Sequence, residues 1–178
     1  MKKCKNCREQ FTPMRTSLEK YCRKDECIKA MVKEAKEKVW KQTKQKMKAE
    51  LMTVQDYIKL AQQVFNQFIR LRDHGKPCIS CSGKLGEKYD AGHFYSAGGH
   101  YAVRFDERNV SAQCVACNQH RHGHLLAYRE NLLMKLGIEE FESLTNEANK
   151  TRSYTRDELK EVINTYKLKI KLLKSSEI

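Results

Sequence analysis

Long apolar runs are missing from this chain of 178 residues. No stretch approaches the ~20 apolar residues that a membrane-spanning helix needs. The first lysines lead straight into Cys4 with no apolar segment after them, so neither a membrane span nor a secretory leader is expected. Proline (2) and glycine (8) are scarce and lysine is abundant, a composition unlike that of small secreted disulfide scaffolds. Aromatic residues make up 8% and do not form the aromatic-rich sheet signature of common RNA-binding modules. Acidic residues are outnumbered, 22 against 35 basic, giving a net charge of +13. Such an excess favours polyanionic partners, nucleic acid ahead of an anionic membrane. The length suits one domain, or a compact domain with a small satellite.

What the chain does have is eight cysteines in four close pairs: Cys4/Cys7, Cys22/Cys27, Cys78/Cys81 and Cys114/Cys117. In a reducing cytosol, the expected location, such pairs bind metal more readily than they form disulfides. Each run of four can close a tetrahedral thiolate shell around one structural zinc, leaving no open position for water. Two zinc sites are therefore expected. Any catalytic metal must use other ligands.

Three regions follow. Residues 1–27 read as an N-terminal Cys4 zinc module, with Phe11, Met14, Leu18 and Tyr21 as its small core. So short a segment needs metal as its staple. Residues 28–52, free of Gly and Pro, read as a basic connecting helix, either a solvated linker or a DNA-backbone contact. Residues 53–178 carry the chemistry between flanking helices. Thr53 with Asp56 and Thr155 with Glu158 are capping boxes that start two of those helices. The first continues through Val54, Ile58, Ala61, Phe65, Phe68 and Ile69. The second continues through Leu159, Val162, Ile163, Tyr166, Ile170 and Leu173, a stripe that fits packing on the core or a homodimer. Leu126, Arg129, Leu133 and Leu136 suggest a further helical face stopped by Gly137, and residues 138–149 another short helix. Short strands are expected at 88–95 and 101–105, and a short helix at 115–123. The fold class is α+β, mostly helical around a central zinc-braced hairpin.

Between the last two cysteine pairs lie residues suited to catalysis. Asp90 offers an oxygen ligand for a hard ion such as Mg²⁺ or Mn²⁺. His93 offers a nitrogen that takes a proton near neutral pH. Asn118 offers an amide oxygen held beside Cys117, and His120 is a further metal-ligand candidate. Lys84, Lys88, Arg104, Arg108, Arg121 and Arg129 are candidates for DNA phosphates. No dense carboxylate cluster is present, so one catalytic metal is implied.

The run Asp90-Ala91-Gly92-His93, then Asn109, then Cys114-Val115-Ala116-Cys117-Asn118-Gln119-His120 resembles the His-Asn-His (HNH) nuclease motif. Nearly the whole chain resembles the bacteriophage lambda NinG (Rap) family, most specifically at residues 104–109 and 117–120. That resemblance implies a ββα-metal core and a phage- or prophage-encoded recombination endonuclease in the bacterial host cell. It would be a Mg²⁺-dependent endodeoxyribonuclease nicking branched DNA such as Holliday junctions and D-loops. It implies His93 as general base, Asn109 as a brace of the hairpin and Asn118 as a ligand of the catalytic ion. The pattern departs from the common one at Gly92, where an acid is usual. Asp90 lies three residues back, ~10 Å from His93 along an extended strand, so a bend at Gly92 is needed to bring the two together. The alternative is a non-catalytic zinc-finger protein that binds nucleic acid.

Overall fold

The computed structural model describes residues 1–175, and all of their side chains but those of Lys48 and Ala49. The chain divides into two compact units, Met1–Met52 and the part beginning at Thr53. Among the described residues, no helix is long and apolar enough to cross a membrane.

In the first unit β1 (Lys2–Lys3) pairs antiparallel with β2 (Gln10–Phe11), Lys2 opposite Phe11. The turn between them carries Cys4 and Cys7, with Arg8 in the left-handed region at φ 65°. Helix α1 (Asp25–Leu51) follows, with Asp25 and Glu26 in its first turn, where acids complement the helix dipole. It takes in Cys27 and so starts earlier than residue 28. The expected core of this unit is wrong in part: Met14 is 70% and Leu18 80% exposed. Cys4 and Cys27 are buried in their place. A segment this short has too few apolar side chains to enclose a core, and sulfur occupies its interior.

The second unit opens with α2 (Val54–Arg72). Thr53 and Asp56 form the reciprocal capping box, Asp56 N–H donating to Thr53 Oγ1 at 3.2 Å and Thr53 N–H to Asp56 Oδ2 at 3.0 Å. The buried face of α2 comprises Tyr57, Ile58, Ala61, Val64, Phe65, Phe68 and Ile69. The hairpin strands β3 (Tyr89–His93) and β4 (Val110–Cys114) are antiparallel, with Tyr89 opposite Cys114 and His93 opposite Val110. A five-residue π-helical turn (Ala116–His120) leads to α3 (Leu125–Leu136), α4 (Ile138–Ala148) and α5 (Arg156–Ser175). The stripe of α5 lies on α2, where the Tyr166 ring sits 4.8 Å from Phe65 and 5.1 Å from Phe68. A second cluster of Val103, Tyr128, Leu132, Phe141, Leu144 and Ala148 joins α3, α4 and the loop before β4.

Three local expectations are corrected. Residues 101–105 do not form a strand; Tyr101–Val103 is a 3-10 turn, with Arg104 N–H donating to Tyr101 O at 3.2 Å. The Arg104 guanidinium lies over the Tyr101 and Phe105 rings, which favours the tight turn over an extended chain. The second strand is Val110–Cys114, whose polar Ser111 and Gln113 are buried. On α3 the buried residues are Tyr128 and Leu132, while Leu126 is 82% exposed.

The bend expected at Gly92 is also replaced. Strand pairing continues through it, Gly92 facing Ser111 and His93 facing Val110. Glycine is needed there because a Cβ would stand 2.2 Å from Gln113 Oε1 and 3.0 Å from Gln113 Cβ. Gln113 cannot move aside freely, since its amide N–H groups bind Ser80 Oγ at 2.7 Å and Gly123 O at 2.5 Å. Gly92→Ala is expected to destabilise the protein by about 1–3 kcal/mol, as overpacking does. Urea unfolding checks this, and an unchanged midpoint would show that the site can relax.

Asp73 joins α2 to the hairpin. Its buried carboxylate accepts from Arg72 Nε and a terminal Arg72 nitrogen (3.0 and 2.7 Å), from Lys76 Nζ (3.0 Å) and from Ala112 N–H (3.1 Å). Burial pushes its pKa up, but Arg72, then Lys76 and the Ala112 amide, outweigh burial and hold it at about 2, below the ordinary 3.8. Because the folded value is the lower one, this contribution is present above pH ~4 and is lost as pH falls towards 2. It amounts to about 2 kcal/mol. Asp73→Asn should therefore flatten the acid-unfolding curve over that window, which circular dichroism against pH will show. Parallel curves for the two proteins would refute the assignment.

Candidate functional site

Each cysteine quartet converges on one point, all four sulfurs lying within 4.8 Å of one another. Cys7 and Cys22 sulfurs are 3.7 Å apart, and Cys81 and Cys114 sulfurs 3.9 Å. Neither spacing is a disulfide, whose S–S bond is ~2.05 Å. A tetrahedron of Zn–S bonds of ~2.3 Å separates its sulfurs by ~3.8 Å, so both quartets fit a zinc ion. Backbone amides already point at the sulfurs: Cys22 N–H to Cys4 Sγ at 3.2 Å, and Cys114 N–H to Cys78 Sγ at 3.4 Å. Burial pushes the Cys4 and Cys78 thiols up, but such amides outweigh it and bring them to about 6 and about 7. A cation at the centre would allow all four thiolates to coexist.

The second quartet fixes local geometry. Cys78 and Cys81 follow α2, Cys114 ends β4, and Cys117 lies in the π-helical turn. A metal held there would tie the strand end to the turn that carries Asn118. Gln113 adds a second tie, from Ser80 of the knuckle to the Gly123 carbonyl beyond the turn. His122 and His124 both take left-handed backbone (φ 49° and 45°), and His124 Nδ1 reaches 3.7 Å from Cys117 Sγ.

The result of this bracing is a carboxylate–amide pair. Asp90 Oδ2 accepts from Asn118 Nδ2 at 2.9 Å and from Gln119 Nε2 at 2.8 Å. His93 stands elsewhere. Strand alternation puts it on the face opposite Asp90, towards α2, with its ring 6.4 Å from that of Phe65. Its Nε2 lies 3.1 Å from the Arg104 carbonyl and 3.4 Å from Gln62 Nε2. A carbonyl only accepts, so Nε2 carries the proton of the neutral ring. Burial pushes the His93 pKa below its ordinary 6.5, and the Arg104 and Ala91 carbonyls oppose that shift. Asn109 is fully buried; its side chain accepts from Tyr95 N–H (2.8 Å) and donates to the Tyr95 and Val103 carbonyls (2.9 and 3.1 Å), closing the excursion between the strands.

The sequence profile described as Bacteriophage Lambda NinG protein matches residues 1–177. The chain belongs to the NinG family. Proteins named Protein ninG from Escherichia phage lambda, Salmonella phage P22 and Escherichia phage 933W are each 41% identical to it over 120 residues, 67% of this chain. The matched stretch is 58–59% of those relatives' own length, so the chain spans just under three fifths of the curated relatives it matches. No solved structure matches it.

Within this NinG-family chain the basic residues singled out from sequence divide sharply. Arg104 donates to Gln62 Oε1 (2.9 Å) and to the Ala97 carbonyl (2.9 Å). Arg108 is paired with Asp106 (2.7 Å) and Glu140 (2.8 Å). Both are engaged by the fold. Arg129 lies 5.5 Å over the Phe141 ring, and Arg121 is exposed. His120 is exposed at the end of the turn and, among the described residues, makes no hydrogen bond to the Asp90–Asn118 pair. Sequence reading missed Gln119, Gln62 and Gln113. Gln119 adjoins Asn118 and was open to notice; the other two act through contacts that no local pattern announces.

Proposed function

We propose that this chain is a metal-dependent endodeoxyribonuclease that nicks branched recombination intermediates, Holliday junctions and D-loops, with Asp90 and Asn118 as ligands of the ion and His93 as general base. One observation carries the reading: the Asp90 carboxylate meets the Asn118 amide on a hairpin and turn braced by four cysteines. A hairpin, a turn and a helix in that order support a ββα-metal core. The branched-DNA substrate comes from the family resemblance, and the net charge of +13 agrees with a polyanion.

The donor set fits a hard divalent ion. Asp90 supplies carboxylate oxygen, and turning the Asn118 amide presents its oxygen beside it, ligands suited to Mg²⁺ or Mn²⁺. Such an ion supplies positive charge to the scissile phosphate and the leaving oxygen. Asp90 and Asn118 would hold it, and Gln119, donating to Asp90 Oδ2, steadies that carboxylate. His93, its ring fixed at Nε2 by the Arg104 carbonyl, is the residue that the family resemblance makes the general base for the attacking water. Its lowered pKa keeps it neutral, and so able to act as a base, at pH 7.

Nicking of a branched substrate by two variants tests the ligand role. Asn118→Ala should lose at least ~100-fold in rate, while Asn118→Asp, which keeps an oxygen donor, should retain most of it. Undiminished cleavage by Asn118→Ala would remove that residue from metal binding. The second reading, a zinc-braced protein that binds nucleic acid without cutting it, draws on the separation of Asp90 and His93 to opposite strand faces.

A further inference from the structure

A groove of about 560 Å³ opens beside Asp90, within the ~300–1,000 Å³ typical of ligand sites. Gln67, Arg70 and Leu71 of α2 form one wall, Glu87 to Asp90 the other, and Lys174 of α5 completes it. Its three cations come from three separate parts of the chain, brought together because α5 packs along α2 and Tyr89 O–H donates to the Arg70 carbonyl at 2.9 Å. They differ from the other basic side chains near the hairpin. Arg72, Arg104 and Arg108 are consumed by hydrogen bonds within the fold. Among the described residues, ion pairs involve none of Arg70, Lys88 and Lys174.

We propose that this groove seats the sugar–phosphate backbone of a DNA strand, with Arg70, Lys88 and Lys174 on successive phosphates leading to Asp90. The strand so held is the one to be cut, and in that respect the proposal rests on the reading of Asp90 given above. Polyanion binding follows from charge: three cations line the wall against two carboxylates, Glu87 and Asp90, and a divalent ion on Asp90 offsets one of those carboxylates. Contacts confined to phosphates carry no base code, so the groove accepts strands irrespective of sequence and leaves selection to the shape of the branch. The Tyr89 ring in the same wall offers a face on which an unstacked base can rest.

The test separates binding from cutting. A fluorescein-labelled four-way junction is titrated by anisotropy, without added Mg²⁺, at several NaCl concentrations. Three proteins are compared: wild type, the triple variant Arg70→Ala/Lys88→Ala/Lys174→Ala, and a control that removes the same charge elsewhere, Lys59→Ala/Lys150→Ala/Lys160→Ala. The groove variant should bind roughly tenfold more weakly, and its log K against log salt slope should fall by about 2–3, as loss of three phosphate contacts requires. The control should stay close to wild type. Equal losses in both variants, or none in the groove variant, would overturn the proposal. A groove variant that loses binding while the wild type nicks nothing with Mg²⁺ would uphold the groove and remove the catalytic reading alone.

Discussion

Cys117→Ser protein is expected to bind one zinc ion per chain, against two expected for the wild type, and its second unit to lose cooperative unfolding near the hairpin. Cys117 is 1% exposed and sits in the turn between β4 and α3, so its thiolate would link a bound metal to the Asn118 turn. Structural zinc in small domains contributes ~10–16 kcal/mol to folding, whereas whole domains are stable by only ~5–15 kcal/mol. Loss of even a third of the metal term exceeds what most single substitutions do. A drop of about 5 kcal/mol lowers Tm by about 10–20 °C in a protein of this size. The matching change in the first unit, Cys22→Ser, should also remove one ion, but leave the second unit's transition in place, since the two quartets belong to separate compact units. Metal analysis alongside calorimetry checks both. Two ions retained in Cys117→Ser, or an unchanged Tm, would show that this quartet does not brace the site.

His93→Ala is the second large effect. A positioned general base accelerates proton transfer by ~10²–10⁴-fold, and the variant should lose nicking by that factor with Mg²⁺ present. Zinc content and junction binding should remain at wild-type values, because His93 touches neither quartet nor groove. In the wild type the rate should rise with pH through a midpoint below 6.5 and then level off, since burial lowers the pKa and only the neutral ring accepts a proton. A flat pH profile would mean that another group activates the water. Gln62→Ala, which removes the 3.4 Å neighbour of His93 Nε2 and the partner of Arg104, should shift that profile without abolishing activity.

What could be read from the sequence was local. The cysteine pairs announce both quartets because tetrahedral thiolate chemistry needs only short spacings within each pair. Thr53 with Asp56 and Thr155 with Glu158 announce α2 and α5 because a capping box is complete within four residues. The strand β4 escaped notice because Ser111 and Gln113 are polar yet buried, and the groups that bind them, Lys135, Ser80 and the Gly123 carbonyl, lie ten or more residues away in sequence. Arg104 and Arg108 looked like phosphate ligands because composition does not reveal that aromatic rings and carboxylates already hold them. Asp90 raised a sharper difficulty. Sequence logic offered Asp90 and Asn118 as ligands of one ion, but also looked for Asp90 beside His93, three residues away, through a bend at Gly92. The hairpin register and the turn bring it to Asn118, twenty-eight residues away, and Gly92 makes room for Gln113.

The proposed nuclease, with Asp90 and Asn118 as ion ligands and His93 as base, would cut branched DNA only with a divalent ion. The most direct measurement is a nicking assay on a four-way junction and on linear duplex of the same sequence, with Mg²⁺ or Mn²⁺ added or withheld. The junction should be cleaved well above the duplex, and only when the ion is added. Equal cleavage of both substrates would contradict branch selectivity, and no cleavage with either ion would contradict the nuclease.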